Sequence, residues 1–307
     1  MALVFFGTPG FAVPSLQALL DAQEEVSLVV TQPDKVKGRG RVLSAPPVKE
    51  LALAHDLPVL QPEKIRNTAF YGELSAVAPE FIIVVAYGKI LPEEILRIPA
   101  LGCINVHASL LPAYRGAGPI QWALLNGEKV TGVTTMRMDR GMDTGDILLK
   151  EELAIAPDDT AETLSGKLSV LGAQTLVRTL RGVRTGEVRA VPQAGEPSYA
   201  PPLKKEDGRI DWNRSAAELF HFVRGMYPWP AAFCSLHGER IKVIKARPRE
   251  GAALPGLIVR ASGGELVAGT GEGLLSLLEL QPEGKKSMPA AAFIAGRRIR
   301  EGHEKFS

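Results

Sequence analysis

The sequence predicts an α/β protein: a doubly wound, mostly parallel sheet followed by a smaller C-terminal β-barrel of OB-like type. Three observations carry this expectation. The first half alternates strand-length apolar runs with helical patterns. Those runs lack clean polar alternation, as strands buried on both faces of a parallel sheet do. Residues 207–307 instead read as short strands separated by glycine turns.

The elements follow in order. "LVFFG" reads as the opening strand, and "FAVPSLQALLDA" as a helix on which Phe11, Leu16, Leu19 and Leu20 share one face. Then "VSLVVTQ", "PPVKELALAHD", "PVLQ", "FYGELSAVA", "FIIVVAYG", "PEEILRI" and "GCINVH" continue the alternation of strand-length and helical segments. The long pattern "AETLSGKLSVLGAQTLVRTLRGV" has leucines at 164, 168, 171, 176 and 180, near helical spacing. It is expected to pack on the sheet as core. "GEVRAVPQAGEPSYAPPLKKEDGRIDW" is rich in Pro, Gly and charge with weak periodicity, and reads as an extended linker. Beyond it, "SAAELFHFVRGMYPWP" reads as one helix ended by proline. "AAFCSLHGERIKVIKARP", "GLIVRASGGELVAGTGEGLLSLLELQP" and "AAFIAGRRI" read as strands. The expected organisation is a catalytic domain at 1–189, a linker at 190–206 and a β-barrel domain at 207–307.

Of the 307 residues, 45% are hydrophobic and 23% charged, with a formal net charge of +2. That balance is ordinary for a globular protein and makes no global electrostatic commitment to nucleic acid, so any basic surface is local. Residues 207–307 carry 15 Lys and Arg against 11 Asp and Glu, clustered in "RIKVIKARPR", "GKK" and "GRRIR". The opening "MALVFFGTPGF" breaks at Gly7 and Pro9 and lacks a positive leading region, so it reads as strand and turn rather than signal peptide. No apolar run approaches the roughly 18 residues of a membrane span. The two cysteines form no CxxC pair, and the five histidines (55, 107, 221, 237, 303) lack ligand spacing. A reducing cytoplasm, no bound metal and no membrane are therefore expected, and a monomer because nothing in the sequence marks a self-complementary interface.

Ligands of doubly wound sheets bind beyond the carboxyl ends of the strands. "GTPG", "AYG", Asn105 and His107 all fall at such ends. The segment "MDRGMDTGDILL" adds Asp139, Asp143 and Asp146 among glycines. A calcium loop counted from Asp139 would place its bidentate glutamate at position 12, where Lys150 stands. Asp-Gly turns account for part of the segment, though not easily for three carboxylates beside the crevice. Asn105, His107 and Asp143 together suggest acyl transfer. An amide donates to an oxyanion, a histidine shares that task or shuttles a proton, and a carboxylate holds the histidine charged. Cys103 is expected to face the same way as Asn105 and His107, which leaves a covalent intermediate open. Direct transfer to an amine fits better, because an α-amino group of pKa about 7.7–8.0 is partly neutral at pH 7.

On these residues the chain resembles the methionyl-tRNA formyltransferases. The similarity is carried by "FFGTPGFAVPSL", "VVTQPDKVKGRGR", "PPVKELA", "VVAYGKILP", "GCINVHASLLPAYRGAGPIQWALLNG", "TGVTTMRMDRGMDTGDIL", "RIDW" and "YPWPAAF", in order along essentially the whole chain. The resemblance implies a formyltransferase-like Rossmann-type core that moves a formyl group from 10-formyltetrahydrofolate to the α-amino group of methionyl initiator tRNA. It implies Asn105, His107 and Asp143 as the catalytic trio. Ser109, Leu110, Leu111 and Pro112 would contact the folate largely through backbone and shape. Val85, Tyr87, Gly88, Thr144 and Gly145 would wall the pterin pocket. Lys37, Arg39 and Arg41 of the basic loop would enter the acceptor stem, with Arg39 foremost. Lys204, Lys205 and Arg247 would supply phosphate contacts, which position rather than read sequence.

Two places depart from the commonest pattern: Ala108, where glycine is frequent, and Gly10, where a larger residue is common. Neither touches the trio. Two other readings compete with tRNA formylation. In one, the same core acts on a small amine such as glycinamide ribonucleotide or an amino-sugar nucleotide. In the other, the chain binds tRNA without catalysis. Residues 207–307 and the "KGRGR" loop favour tRNA over the first, and the intact trio favours an enzyme over the second.

Overall fold

A computed structural model of the chain describes residues 2–37 and 42–307, with the side chains of Lys37 and Val42 outside the description. Two compact units share the chain. Met1–Pro119, Val130–Ala154 and Ser165–Ala200 form the first; Ile120–Lys129, Ile155–Leu164 and Pro201–Ser307 form the second. The segment 190–206 is thus divided between them at Ala200.

The first unit is built on seven strands: β1 (Leu3–Gly7), β2 (Val26–Val30), β5 (Val59–Leu60), β6 (Phe81–Val85), β7 (Cys103–His107), β8 (Val130–Arg137) and β9 (Ile147–Ala154). Their order is β5-β2-β1-β6-β7-β8-β9. Pairing is parallel from β5 to β7 and antiparallel for β7–β8 and β8–β9. β1 and β6 are buried at every residue, as uninterrupted apolar runs covered on both faces must be. Helices α1 (Val13–Asp21), α2 (Pro47–Ala54), α3 (Thr68–Val77) and α4 (Glu93–Leu96) connect the parallel strands. Leu16 and Leu19 of α1 are fully buried, and Asn67 caps α3 by accepting the Ala69 N–H at 2.9 Å. A separate hairpin pairs β3 (Lys35–Lys37) with β4 (Val42–Ser44). Arg39 and Arg41 lie outside the described residues, as does the side chain of Lys37.

Two further helices, α5 (Pro119–Leu125) and α6 (Ala161–Thr185), follow β7 and β9. Leu168, Leu176 and Leu180 of α6 are fully buried. Gly172 brings the α6 backbone so close to β7 that an added Cβ would sit 2.9 Å from Val106 Cγ1. Thr179 Oγ1 shares a hydrogen with Thr135 Oγ1 of β8 at 2.8 Å. The strand that carries Asn105 and His107 is therefore held between strands on both sides and under a close-packed helix.

The second unit takes in most of α5 and the first residues of α6. Its C-terminal stretch carries α7 (Ala216–Met226), which starts in a capping box. Ser215 Oγ accepts the Glu218 N–H, and the Glu218 carboxylate accepts the Ser215 N–H. Strands β10 (Ala232–Leu236), β11 (Glu239–Arg249), β12 (Ile258–Ser262), β13 (Glu265–Gly269), β14 (Leu274–Pro282) and β15 (Met288–Pro289) form one antiparallel sheet. Its order is β10-β11-β14-β13-β12, with β15 on β14. Residues 304–307 join its two ends. Ser307 exchanges both backbone hydrogen bonds with Ser235 of β10, at 2.7 and 3.0 Å, while Ile258 N–H of β12 donates to Glu304 O at 2.8 Å. The sheet so closed encloses a core in which Phe306 stacks on Trp212 at 5.4 Å. The segment "AAFIAGRRI", read from sequence as a strand, is instead helix α8 (Ala290–Ala295). Its alanines favour a helix, and Pro289 sits at its N-cap, where a missing N–H costs nothing. No helix among the described residues is long and apolar enough to cross a membrane.

Candidate active site

Strand order reverses direction at β1: the chain first builds outward to β2 and β5, then crosses to β6 and β7. The carboxyl ends of β1, β6 and β7 flank this switch point, where open α/β sheets hold ligands. Gly7 pairs with Val85, and Val84 with Asn105, so the three strands end side by side. Gly7 is required there by close approach, since an added Cβ would stand 2.7 Å from the Phe5 ring and 3.2 Å from Val85 O.

The structure brings Asn105, His107 and Asp143 together. Asn105 Nδ2 lies 3.5 Å from Asp143 Oδ1, the long limit of a hydrogen bond. His107 is buried; its Nδ1 faces Asp143 Oδ2 at 3.7 Å, and its Nε2 is 2.9 Å from Tyr114 O. A carbonyl can only accept, so Nε2 carries the hydrogen and Nδ1 is the nitrogen free to gain or lose one. Asp143 Oδ2 also accepts the Gly116 N–H at 2.8 Å. The Asp143 backbone is left-handed, with φ 54°, a strain that surrounding contacts must hold.

Those contacts come from residues that sequence reasoning placed in a linker. Gln193 Nε2 donates to Asp143 O and to Gly145 O, both at 2.8 Å. Its Oε1 accepts from Arg115 Nε at 3.2 Å and Nη2 at 2.7 Å. Ser198 Oγ accepts the Tyr114 N–H at 2.8 Å, and Ser198 O accepts the Arg115 N–H at 2.8 Å. Residues 193–200 thereby tie the His107 side of the site to the Asp143 side. A lone amide in an aperiodic Pro- and Gly-rich stretch gives no local signal of this.

The remaining sequence candidates divide by what they expose. Ser109 and Leu111 are fully buried. Ser109 Oγ donates to Ala113 O at 2.6 Å, and Thr134 Oγ1 donates to Ser109 O and accepts the Leu111 N–H. That turn is pinned internally and offers a ligand Leu110, Pro112 and backbone. Val85 and Tyr87 are core residues: Tyr87 packs edge-on against Phe6, and burial pushes its hydroxyl up to about 12. Only their backbone reaches the strand end. Gly88 is exposed, with open space where a Cβ would stand. Thr144 is exposed and donates to Asp139 Oδ1 at 2.7 Å, while Gly145 is packed on Arg137 O, 1.8 Å from where its Cβ would stand.

Cys103 is buried, with Sγ 3.9 Å from the carbonyls of Ile95 and Leu96, and burial pushes its thiol up to about 12. It is a core side chain with negligible thiolate at neutral pH. Among the described residues no group of three or more His, Cys, Asp or Glu is placed to hold a metal. In the second unit, Lys204, Lys205 and Arg247 are all exposed.

Comparison with known proteins identifies the family. Residues 1–180 match the formyl transferase family and residues 202–298 the formyl transferase C-terminal domain. A methionyl-tRNA formyltransferase of Thermodesulfovibrio yellowstonii is 59% identical over 305 residues, 99% of either chain. Among solved structures, the fold is shared with WlaRD, a sugar 3N-formyl transferase, at TM-score 0.68 and 18% identity over 93% of this chain and 99% of that one. It is shared with HypX from Aquifex aeolicus at TM-score 0.67 and 17% identity, over 97% of this chain but 48% of that one, so the chain spans about half of HypX. The chain belongs to the methionyl-tRNA formyltransferase family.

Proposed function

We propose that the chain transfers a formyl group from 10-formyltetrahydrofolate to the α-amino group of methionyl initiator tRNA, with Asn105, His107 and Asp143 as the catalytic residues. The observation that carries this reading is the meeting of an amide, a tautomer-fixed imidazole and a carboxylate at the switch point of the sheet. Membership of the family supplies donor and acceptor.

The residues at the strand ends suit a folate. Exposed Gly88, the Leu110–Pro112 turn and a 69%-exposed Ile90 combine apolar surface with backbone polar groups, which is how small-molecule sites are lined. When bound, the folate supplies a formyl carbon open to attack by an amine. As the new C–N bond forms, the bond to the folate nitrogen breaks, and the proton shed by the amine balances the one gained by that leaving nitrogen. Asn105 Nδ2 is held only loosely by Asp143, so its N–H groups can turn to an oxyanion forming beside them. His107 has spent Nε2 on Tyr114 and can donate only from Nδ1, in its protonated form. Asp143 Oδ2 sets a negative charge beside that proton, and the Gly116 N–H fixes the carboxylate's position. Direct transfer without a covalent enzyme intermediate is consistent with the buried Cys103.

Acceptor recognition falls to the basic loop around Arg39 and to exposed cations of the second unit, among them Lys204, Lys205 and Arg247. The cytoplasm is the working compartment, supported by two free, buried cysteines, and the chain acts as a monomer. The test is initial-rate formyl transfer with methionyl initiator tRNA, free methionine and glycinamide ribonucleotide as acceptors. Turnover confined to the charged tRNA is expected; comparable turnover with a small amine would overturn the acceptor assignment and leave the chemistry.

A further inference from the structure

The second unit carries a cleft of which the reading above uses Lys205 alone. Its volume is about 340 Å³, and Lys205, Trp229, Arg240, Lys242 and Glu283 line it. Trp229 is 56% exposed although it is the largest side-chain type. It stands between Pro228 and Pro230, whose rings fix φ, and the Ala231 N–H closes the turn on Met226 O at 2.8 Å. The indole is therefore presented by a stiff, hydrogen-bonded turn rather than by a frayed loop.

The cleft is also cationic. Lys205, Arg240 and Lys242 oppose the one carboxylate of Glu283, and among the described residues none of the three makes an ion pair. The Arg240 guanidinium lies 3.5 Å over the Phe233 ring, and its Nε is buried without a hydrogen-bond partner. Stacking thus holds the plane of the group while leaving its terminal nitrogens for an acceptor. Lys285 and Lys286, both exposed, follow directly on the rim residue Gly284.

An exposed aromatic face among unpaired cations matches single-stranded nucleic acid, which lays a base on the ring and its phosphates on the cations. An acidic peptide would use the charges and leave the indole idle, and an uninterrupted duplex has no free base face to give. We infer that Trp229 stacks an unpaired base of an RNA acceptor while Lys205, Arg240 and Lys242 hold the flanking phosphates. The choice of RNA rests on the proposed tRNA acceptor. Such a contact is tolerant of sequence, because every base has a π-face, and it senses whether a base is available to stack.

The experiment uses the full chain, an unacylated initiator-tRNA transcript for binding and charged tRNA for kinetics. Trp229→Ala should weaken transcript binding by about tenfold or more, raising KM for charged tRNA in parallel while kcat holds. Trp229→Phe should restore most of the affinity. Lys242→Ala should weaken binding and flatten the slope of log affinity against log salt by about 0.7–0.9, whereas Trp229→Ala should leave that slope in place. Wild-type binding by Trp229→Ala, or a Trp229→Phe variant as weak as the alanine, would overturn the inference. A wild-type chain that binds the transcript through Trp229 yet fails to formylate charged tRNA would sink the proposed function alone.

Discussion

His107 Nε2 stands 2.9 Å from the carbonyl oxygen of Tyr114, and this one hydrogen bond decides which nitrogen of the ring can work. With Nε2 committed as donor, proton exchange is confined to Nδ1, which faces Asp143 Oδ2 at 3.7 Å. Tyr114 itself has φ 60° and is tied through its N–H to Ser198 Oγ. The tautomer of the ring is thus set by Tyr114, seven residues on, and Tyr114 is in turn held by Ser198, 84 residues further along the chain.

Asn105 is the first test of the trio. Asn105→Ala should lower kcat by ~10²–10³, the usual cost of removing an oxyanion donor, with little change in donor affinity. A loss below tenfold with intact donor binding would remove Asn105 from that role.

Cys103 tests the alternative of covalent catalysis. Cys103→Ala should keep kcat within about tenfold of the parent, because a buried thiol pushed up to about 12 contributes no nucleophile. Loss of transfer in a folded variant, judged by unchanged circular dichroism, would reinstate the covalent route.

Gln193 is expected to act through Asp143. Gln193→Ala removes two donors from the backbone of the Asp143–Gly145 turn and the acceptor for Arg115. Ångström-scale misplacement of a catalytic group costs up to ~10²-fold, so kcat should fall by at least tenfold while KM for the charged tRNA holds. Stability should drop by about 2 kcal/mol or more, from four hydrogen bonds worth about 0.5–1.5 kcal/mol each. Unchanged kcat with the same loss of stability would make Gln193 a structural residue only.

His221 gives a pH signature in the second unit. Arg224 can only donate, so the 2.6 Å contact from its Nη2 requires His221 Nδ1 as an unprotonated acceptor. Burial first, and then the Arg224 charge, hold His221 below its ordinary 6.5. As pH falls from 6.5 toward that lowered value, the unfolded chain takes up a proton that the native state refuses, so stability falls. Asp158 and Asp159 bear on Arg224 from the neighbouring segment and only partly offset its charge. Thermal melts between pH 7.5 and about 5 should show a decline that His221→Gln makes shallower. An unchanged slope in that variant would exclude His221 as its source.

Much of this was legible in the sequence. β1, β6 and β7 announce themselves as apolar runs, and Asn105 and His107 stand out as polar residues where such a run ends. Asp143 was visible as one carboxylate among glycines, but not which oxygen of it would face which partner. Gln193 and Ser198 were invisible because their partners are remote in sequence and their own stretch has no period. The closing of the C-terminal sheet through residues 304–307 was equally hidden, since four residues carry no pattern and Phe306 acquires its meaning only against Trp212. Cys103 shows the limit of alternation: it groups the residue with Asn105 and His107, yet Cys103 opens β7 at its amino end and its sulfur is buried against α4.

The most direct measurement is the single-turnover rate of formyl transfer at saturating donor and methionyl initiator tRNA, in the parent and in Asp143→Asn. The substitution keeps size and removes the charge beside His107 Nδ1. The rate in Asp143→Asn should be lower by ~10²–10⁴ with both substrates still bound. A rate within a few-fold of the parent would contradict the assignment of Asp143, and with it the trio as the centre of the chemistry.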